Sequence, residues 1–305
     1  MKIAVIGAGA WGSTLAGLVR DNGHDVSIWS RRSERSLNDT IANSELVISA
    51  VSMKGVRSVI EQISIPIPAI VTATKGLDSQ SVSDQALPLL PSQVWQSAFE
   101  KSAIAVLSGP NLSKEIQQGL PAASVVASQD QTLADQVQRA FSSSRFRVYT
   151  NSDPLGVELG GTLKNVIAIA VGACDGLQLG TNAKSALVTR GLAEMIRLGT
   201  TWGAKPETFY GLSGLGDLLA TCSSALSRNY QVGCGLAQGR SLDDILTNLE
   251  GTAEGINTSQ VLVRLAKEQG ISMPISTQVD RLLRGEITPQ LAVNELMQRD
   301  SKPEQ

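Results

Sequence analysis

Histidine is almost missing from this chain: His24 is the single one in 305 residues. It lies in Asn22-Gly23-His24-Asp25, a turn leading into an apolar strand, whereas ligands of parallel α/β sheets gather outside the opposite, carboxyl ends of the strands. A proton-transfer site here must therefore use lysine, a carboxylate or tyrosine. The three cysteines, Cys174, Cys222 and Cys234, lack CxxC or metal-ligand spacing. This excludes a zinc centre and a disulfide framework, and suits packing in a reducing cytoplasm. Excess charge is missing too: 26 Lys and Arg face 28 Asp and Glu, so no overall field draws in nucleic acid or an anionic membrane. Uncharged apolar runs such as Val166 to Cys174 fall well short of the roughly 20 residues a membrane span needs. No charged-then-apolar leader precedes the first strand, Ile3 to Ile6. These absences predict a cytoplasmic protein with no metal, no nucleic-acid partner and no stable membrane insertion.

What is present begins at once. Met1 to Gly12 reads as an apolar strand entering Gly7-x-Gly9-x-x-Gly12, with a helical stretch after it and a second strand at Asp25 to Trp29. In a dinucleotide site Gly7 permits the tight turn, Gly9 lets a pyrophosphate approach the backbone, and Gly12 lets the helix pack on the strand. The helix beginning near Ala10 points free N–H groups and the positive end of its dipole at the phosphates. A plain glycine turn is the alternative. The second strand then ends in Trp29-Ser30-Arg31-Arg32, where an NAD site usually carries an acid for the ribose hydroxyls. Two guanidiniums suit a 2′-phosphate through forked, charge-assisted hydrogen bonds, which predicts NADP(H) as the preferred cofactor, with NAD(H) second. As solvated loop charges, Arg31 and Arg32 would carry no such preference.

Apolar strands and helical stretches alternate through the first half. Strands are expected at Leu46–Val51, Ala69–Thr74, Ala103–Leu107, Ala122–Ala127 and Arg145–Tyr149. Helices are expected at Ser33–Ala42, Val56–Ile63, Ser81–Leu90, Asn111–Gln118 and Asp130–Phe141. This is the pattern of an α/β, Rossmann-type, doubly wound and mostly parallel sheet over residues 1–150. From about Asn151 long amphipathic helical segments take over, predicting an all-α domain over 151–305 that ends in a polar, disordered tail from Arg299.

One helical segment of that second half stands apart. Lys164 is the only charge between Glu158 and Asp175. An apolar setting disfavours the ammonium and brings the lysine toward proton exchange near neutrality, as a general acid for a carbonyl and alcohol pair requires. A lysine that snorkels to water from a half-buried helix is the plain reading. Three further segments have the make-up of an anion pocket. Lys75 follows the strand ending at Thr74; Ser108-Gly109-Pro110-Asn111 joins a strand to a helix with backbone N–H groups to offer; Ser227 N-caps a helix with Arg228 and Asn229 in its first turn. Each would also serve as an ordinary turn or cap. Asp217, after the glycine turn Gly211 to Gly216, caps a helix or accepts a hydrogen bond from a substrate hydroxyl or from Lys164.

Taken together, these motifs resemble the bacterial-type soluble NAD(P)-dependent glycerol-3-phosphate dehydrogenases. The resemblance runs from Met1 to about Leu296 through Gly-Ala-Gly-x-Trp-Gly at 7–12, Ala-Thr-Lys-Gly-Leu at 73–77, Ser-Gly-Pro-Asn at 108–111 and Leu-Lys-Asn-Val-Ile-Ala-Ile at 163–169. It continues in Thr-Arg-Gly-Leu-Ala-Glu-Met at 189–195, Gly-Leu-Gly-Asp-Leu at 214–218, Ser-Arg-Asn at 227–229 and Ala-Glu-Gly at 253–255. It implies reversible reduction of dihydroxyacetone phosphate, a phosphorylated triose, to sn-glycerol 3-phosphate for glycerophospholipid synthesis, and a homodimer. It places the proton donor on Lys164, and substrate contacts on Lys75, Gly109, Asn165, Asp217, Ser227, Arg228 and Asn229. Cofactor contacts fall on Trp11, Arg31, Arg32, Lys75, Ser113, Arg228 and Glu254. The chain departs from the family between Arg32 and Leu46, where about a dozen residues replace a longer stretch, so the sheet is expected to be trimmed after its second strand. Ala10 also stands where serine is common. Rival readings are a hydroxyacid or phosphogluconate dehydrogenase, separated by a carboxylate substrate, and a non-catalytic NADP sensor, separated by absence of turnover.

Overall fold

The inner strands form where the chain runs apolar without alternation, as expected for strands covered on both faces, while the edge stretches Asp25–Trp29 and Phe146–Asn151 mix polar residues in. The computed structural model describes residues 1–80, 89–300 and 303. The described residues form seven strands: β1 Lys2–Ile6, β2 Asp25–Trp29, β3 Leu46–Ser49, β4 Ala69–Thr72, β5 Ala103–Ser108, β6 Ala122–Ser128 and β7 Phe146–Asn151. They make one sheet in the order β2-β1-β3-β4-β5-β6-β7. All neighbours are parallel except β5 and β6, which run antiparallel. The helices threaded among them are α1 Ala10–Asp21, α2 Leu37–Ile41, α3 Met53–Ile60, α4 Pro91–Ala98, α5 Ser113–Gln117 and α6 Gln131–Phe141.

The register aligns the strand ends that matter. Ile6 lies opposite both Trp29 and Ser49, so β1, β2 and β3 finish together and the turns after them share one edge of the sheet. Residues then alternate between two cores. Ile3, Val5, Ile48, Val71 and Leu107 pack with Leu15 and Val19 of α1 and Val137 and Phe141 of α6. Ala4, Ile6, Val47 and Ile70 pack on the other face with Val56 of α3 and Val94 and Trp95 of α4. Truncating a fully buried side chain such as Phe141 to alanine would cost about 3–5 kcal/mol.

Beyond β7 every described element is helical: α7 Pro154–Gly176, α8 Gly180–Thr201, α9 Pro206–Phe209, a π-helical turn Leu212–Gly216, α10 Asp217–Cys222 and α11 Arg228–Ala237. Then come α12 Leu242–Thr247, α13 Glu254–Glu268, α14 Pro274–Leu283 and α15 Pro289–Met297. The chain gathers into two compact units, Met1–Thr162 with Gly199–Ala220, and Leu163–Leu198 with the residues from Thr221 onward.

Some local expectations need correction. The expected helix at Ser81–Leu90 lies, up to residue 88, outside the described residues; residues 89 and 90 are not helical, and a helix that was not expected, α4, starts at Pro91. Proline ends a helix in its interior but is favoured in the first turn, where its missing N–H has no partner to lose. The connection from β2 to β3 carries only the single-turn α2, N-capped by Ser36, whose side chain accepts from Asp39 N at 3.0 Å. α7 is long and apolar enough to cross a membrane, with mean hydropathy 1.4, yet 94% of that window is buried inside the protein. Glu158 and Lys164 interrupt the run in sequence without interrupting the helix. Of the expected polar tail, residues 301, 302, 304 and 305 lie outside the described set.

Candidate active site

The glycine loop after β1 has the strained and crowded geometry its sequence announces. Gly7 adopts φ +112°, a conformation L side chains rarely enter. A Cβ on Gly12 would land on the carbonyl oxygen of Gly7, so only glycine lets α1 lie this close to the strand. Around Gly9 there is nothing within 4 Å of where a Cβ would be. Gly9 is also the N-cap of the 12-residue α1 and brings no side-chain cap, leaving the N–H groups of the first turn for an anion. These features fit a pyrophosphate approaching the backbone at Gly9. Trp11 is half-buried against the sheet core, and Arg31 and Arg32 are exposed in the turn after β2. That turn is held by Ser33 Oγ accepting from Ser30 N at 2.9 Å and by Ser30 Oγ accepting from Arg32 N at 3.3 Å.

Further along the same sheet edge, β4 runs on into Thr74-Lys75-Gly76. The Thr74 hydroxyl donates to Val51 O at 2.9 Å, and Gly76, at φ +145°, donates its N–H to Thr162 Oγ1 at 3.1 Å. The lysine between them is thereby fixed at its base. At its tip Lys75 Nζ meets Asp217 Oδ2 at 2.5 Å, with the Asp217 side chain 3% and the Lys75 side chain 21% exposed. Asp217 is delivered there by the π-helical turn, which runs directly into α10. Gly161 makes room for this lysine, because a Cβ there would strike Ser108 Oγ and press on Lys75 Cε at 3.3 Å. Beside it, Gly109 at φ +146° turns the chain after β5. Ser124 Oγ donates to Ser108 O at 2.7 Å and accepts from Asn111 Nδ2 at 3.0 Å, which ties the Ser-Gly-Pro-Asn turn to β6. Ser113, half-buried, is the first residue of α5.

In the other unit, Lys164 and Asn165 sit in the middle of α7, both buried. The Lys164 ammonium donates to Thr221 Oγ1 at 2.5 Å. Asn165 Oδ1 accepts from Asn229 Nδ2 at 2.9 Å, and Asn229 Oδ1 accepts from the backbone N–H of Gly255 at 2.9 Å. Ser227 is the N-cap of α11, its hydroxyl accepting from Tyr230 N at 3.2 Å, and Arg228 extends from the first turn, exposed. Glu254 opens the 15-residue α13.

The structure brings together Lys75 with Asp217, and Asn229 with Asn165, pairs the sequence did not name; for Asp217 it had offered a substrate hydroxyl or Lys164 as partner. The sequence also missed the residues that hold these side chains. Thr221 lies four positions after Asp217, on the same face of α10, a spacing that could have flagged it. Gly255 lies in the Ala-Glu-Gly motif at 253–255 without its role being visible there, and Thr162 and Ser124 carry no comparable signal. Also missed was Glu158, fully buried on α7, where it accepts from Ser92 N at 2.9 Å and from the Ser92 hydroxyl at the start of α4. Burial pushes its carboxyl up to about 7, against the opposing pull of those two hydrogen bonds. His24 lies at the start of β2, its Nδ1 at 3.4 Å from the amino group of Met1, with desolvation lowering its pKa. The three cysteines are free thiols, and no group of three metal-ligating side chains occurs among the described residues.

A doubly wound, largely parallel sheet with a glycine turn at the end of β1, followed by an all-helical unit carrying a buried lysine, defines a Rossmann-type protein of the two-unit dehydrogenase class. The model of the NAD-dependent glycerol-3-phosphate dehydrogenase N-terminus matches residues 2–36 and 32–134, and that of the C-terminus matches 153–294. The chain belongs to the NAD-dependent glycerol-3-phosphate dehydrogenase family. It is 63% identical over 306 residues to a Trichormus variabilis protein named glycerol-3-phosphate dehydrogenase (NAD(P)+), covering 99% of this chain and 98% of the relative. A Synechocystis protein of the same name is 58% identical over 307 residues, with 99% and 95% covered. Among solved structures, glycerol-3-phosphate dehydrogenase from Coxiella burnetii superposes with a TM-score of 0.90 at 33% identity, covering 98% of this chain and 99% of that one.

Proposed function

We propose that this protein interconverts dihydroxyacetone phosphate and sn-glycerol 3-phosphate with NADP(H), and with NAD(H) as a second cofactor, supplying the glycerol phosphate of glycerophospholipids. The observation that carries the reading is Lys164: a buried ammonium on an apolar helix, aimed by a hydroxyl at 2.5 Å, with no histidine competing for its role. The bound nicotinamide supplies the hydride. As negative charge grows on the substrate oxygen, Lys164 stabilises it and delivers the proton. Thr221, by accepting one N–H of Lys164, fixes the direction in which the others point.

Lys75, Asp217, Gly109, Asn165, Ser227, Arg228 and Asn229 are the substrate contacts in this reading. Lys75 supplies positive charge to the phosphate, and Asp217 holds its ammonium in place. Ser227 shapes the first turn of α11 so that its backbone N–H groups and Arg228 add to anion binding. Binding the remote phosphate in this way fixes the carbonyl carbon for hydride transfer. Gly7, Gly9, Trp11, Gly12, Arg31, Arg32, Lys75, Ser113, Arg228 and Glu254 make the cofactor contacts, with Arg31 and Arg32 on the 2′-phosphate. The working division of labour is a dinucleotide domain over 1–150 and a helical substrate domain over 151–305, in a cytoplasmic homodimer.

The test follows nicotinamide absorbance with purified protein, dihydroxyacetone phosphate and NADPH or NADH, with a panel of hydroxy acids run in the oxidative direction. Oxidation that depends on dihydroxyacetone phosphate and is faster with NADPH is expected. NADPH binding without any turnover, or turnover only with hydroxy acids, would overturn the proposal.

A further inference from the structure

We infer that Tyr230 is a positioning residue that latches α11 onto α7 through Asp175 and Lys184, and so sets where the first turn of α11 presents Arg228 and its N–H groups. This rests on the reading of that turn as an anion site. Asp175 stands where its own helix disfavours it, as the next-to-last residue of α7, beside the negative end of the helix dipole. What it has there is two donors on one oxygen: Lys184 Nζ at 2.6 Å and the Tyr230 hydroxyl at 2.7 Å both reach Asp175 Oδ2. The Lys184 ammonium also lies 5.7 Å from the centre of the Tyr230 ring, within cation–π range. The Asp175 side chain is 25% and that of Lys184 28% exposed, so water screens this group less than it would an open surface pair. Desolvation above all, and then the bond to Asp175, push the phenol well above its usual range, so it keeps its proton and stays a donor.

The contact between α7 and α11 is made by main chain. A Cβ on Gly172 would strike Tyr230 O, and one on Gly233 would strike Ile169 O. Glycine surfaces let two helices approach closely but lack the side-chain ridges that set a crossing angle. Directional bonds must set it instead. Tyr230 meets α7 twice, with its carbonyl over Gly172 and its hydroxyl on Asp175, three residues later on the same face. The Cys234 thiol, one turn further along α11, adds a weaker bond to Gly172 O at 3.1 Å. Along α7, Asn165 comes before this crossing and Asp175 after it, so the bond from Asn229 and the bond from Tyr230 hold α11 on both sides. Tyr230 also closes the helix cap, its N–H donating to Ser227 Oγ at 3.2 Å. Cap and latch thus meet in one residue, and Arg228 leaves the helix between Ser227 and Tyr230.

Tyr230→Phe keeps the ring beside Lys184 and removes only the hydroxyl. Steady-state kinetics of this variant give kcat, KM for dihydroxyacetone phosphate, and Ki for inorganic phosphate as a competitor of that substrate. A latch predicts that KM and Ki rise together by about 3–10-fold with kcat within about twofold of wild type, because the anion site shifts while Lys164 stays in place on α7. A merely structural role predicts a lower Tm with KM and Ki unchanged, and that result overturns the inference. A rise in KM without one in Ki, or a fall in kcat alone, overturns it as well. If Tyr230→Phe does not fold, Asp175→Ala cuts the latch at its other end, with the same parallel rise expected and unchanged constants overturning it. Failure of the underlying reading shows in the wild-type protein instead, as no oxidation of NADPH by dihydroxyacetone phosphate or no competition from phosphate.

Discussion

Glu158 makes the protein's stability depend on pH in a calculable way. Its carboxyl is fully buried on α7, meets no charged partner among the described residues, and has its pKa raised from an ordinary 4.5 to about 7. The folded chain therefore keeps this proton at pH values where the unfolded chain has lost it. The resulting stability is complete below the unfolded pKa and is lost as pH rises to the folded one, with nothing further lost above it. At 1.36 kcal/mol per unit, the full loss is about 3 kcal/mol. Glu158→Gln removes the proton equilibrium while keeping the geometry: its carbonyl oxygen accepts from Ser92 N and its NH₂ group donates to Ser92 Oγ. The variant is expected to gain on wild type by about 2.5 kcal/mol between pH 5 and pH 8. For a chain of this length that corresponds to about 4 °C in Tm. Thermal melts of both proteins at half-unit steps from pH 5 to 8.5 measure the gap directly. A gap that stays constant with pH would refute the assignment of a shifted proton to this carboxyl.

Other expectations follow from the candidate site. Lys164→Met should fold and bind NADPH yet lose about 10²–10⁴ in kcat, the range of a lost general acid, and near-normal turnover would remove Lys164 from its role. Replacing Arg31 and Arg32 together by alanine should raise KM for NADPH about tenfold or more and leave that for NADH nearly unchanged, since only the 2′-phosphate distinguishes the two. Equal effects on both cofactors would mark the arginines as solvated loop charges. Asp217→Asn should raise KM for dihydroxyacetone phosphate by freeing the tip of Lys75, with loss of the ion pair read from the same kinetics; an unchanged KM would show that Lys75 needs no such anchor.

The inner strands could be located from sequence because strands buried on both faces are written as continuous apolar runs, and that signal is local. β2 and β7, at the sheet edges, mix polar residues in and could be located only from the alternation of strands with helices. The direction of β6 could not, since a reversed strand has the same composition and its antiparallel pairing is set by where the chain returns to the sheet. α4 was not anticipated, because Pro91 reads equally as the end of one helix or the start of the next. At the candidate site the turns were visible as Gly-rich or Ser-rich breaks after strands, and Ser227 as an N-cap followed directly from residue type. The pairing of Lys75 with Asp217 spans 142 positions and leaves no local mark. Glu158 escaped attention for a related reason: a carboxylate in an apolar helix looks like an exposed face until its partner Ser92, 66 positions away, is seen.

The burial of α7 has a consequence for how the chain must be made. Ile169 and Gly172 on this helix are covered by the backbone of α11, so closely that a Cβ on Gly172 or on Gly233 would strike the opposite main chain. α11 is synthesised some 60 residues after α7 ends, which at ribosomal speeds of about 5–20 residues per second is a delay of about 3–12 s. During that interval a 23-residue apolar helix, long enough to be mistaken for a membrane anchor, is outside the ribosome without its cover. The nascent chain is therefore expected to lean on holdase chaperones, and to be sorted away from the membrane by the speed with which α11 arrives.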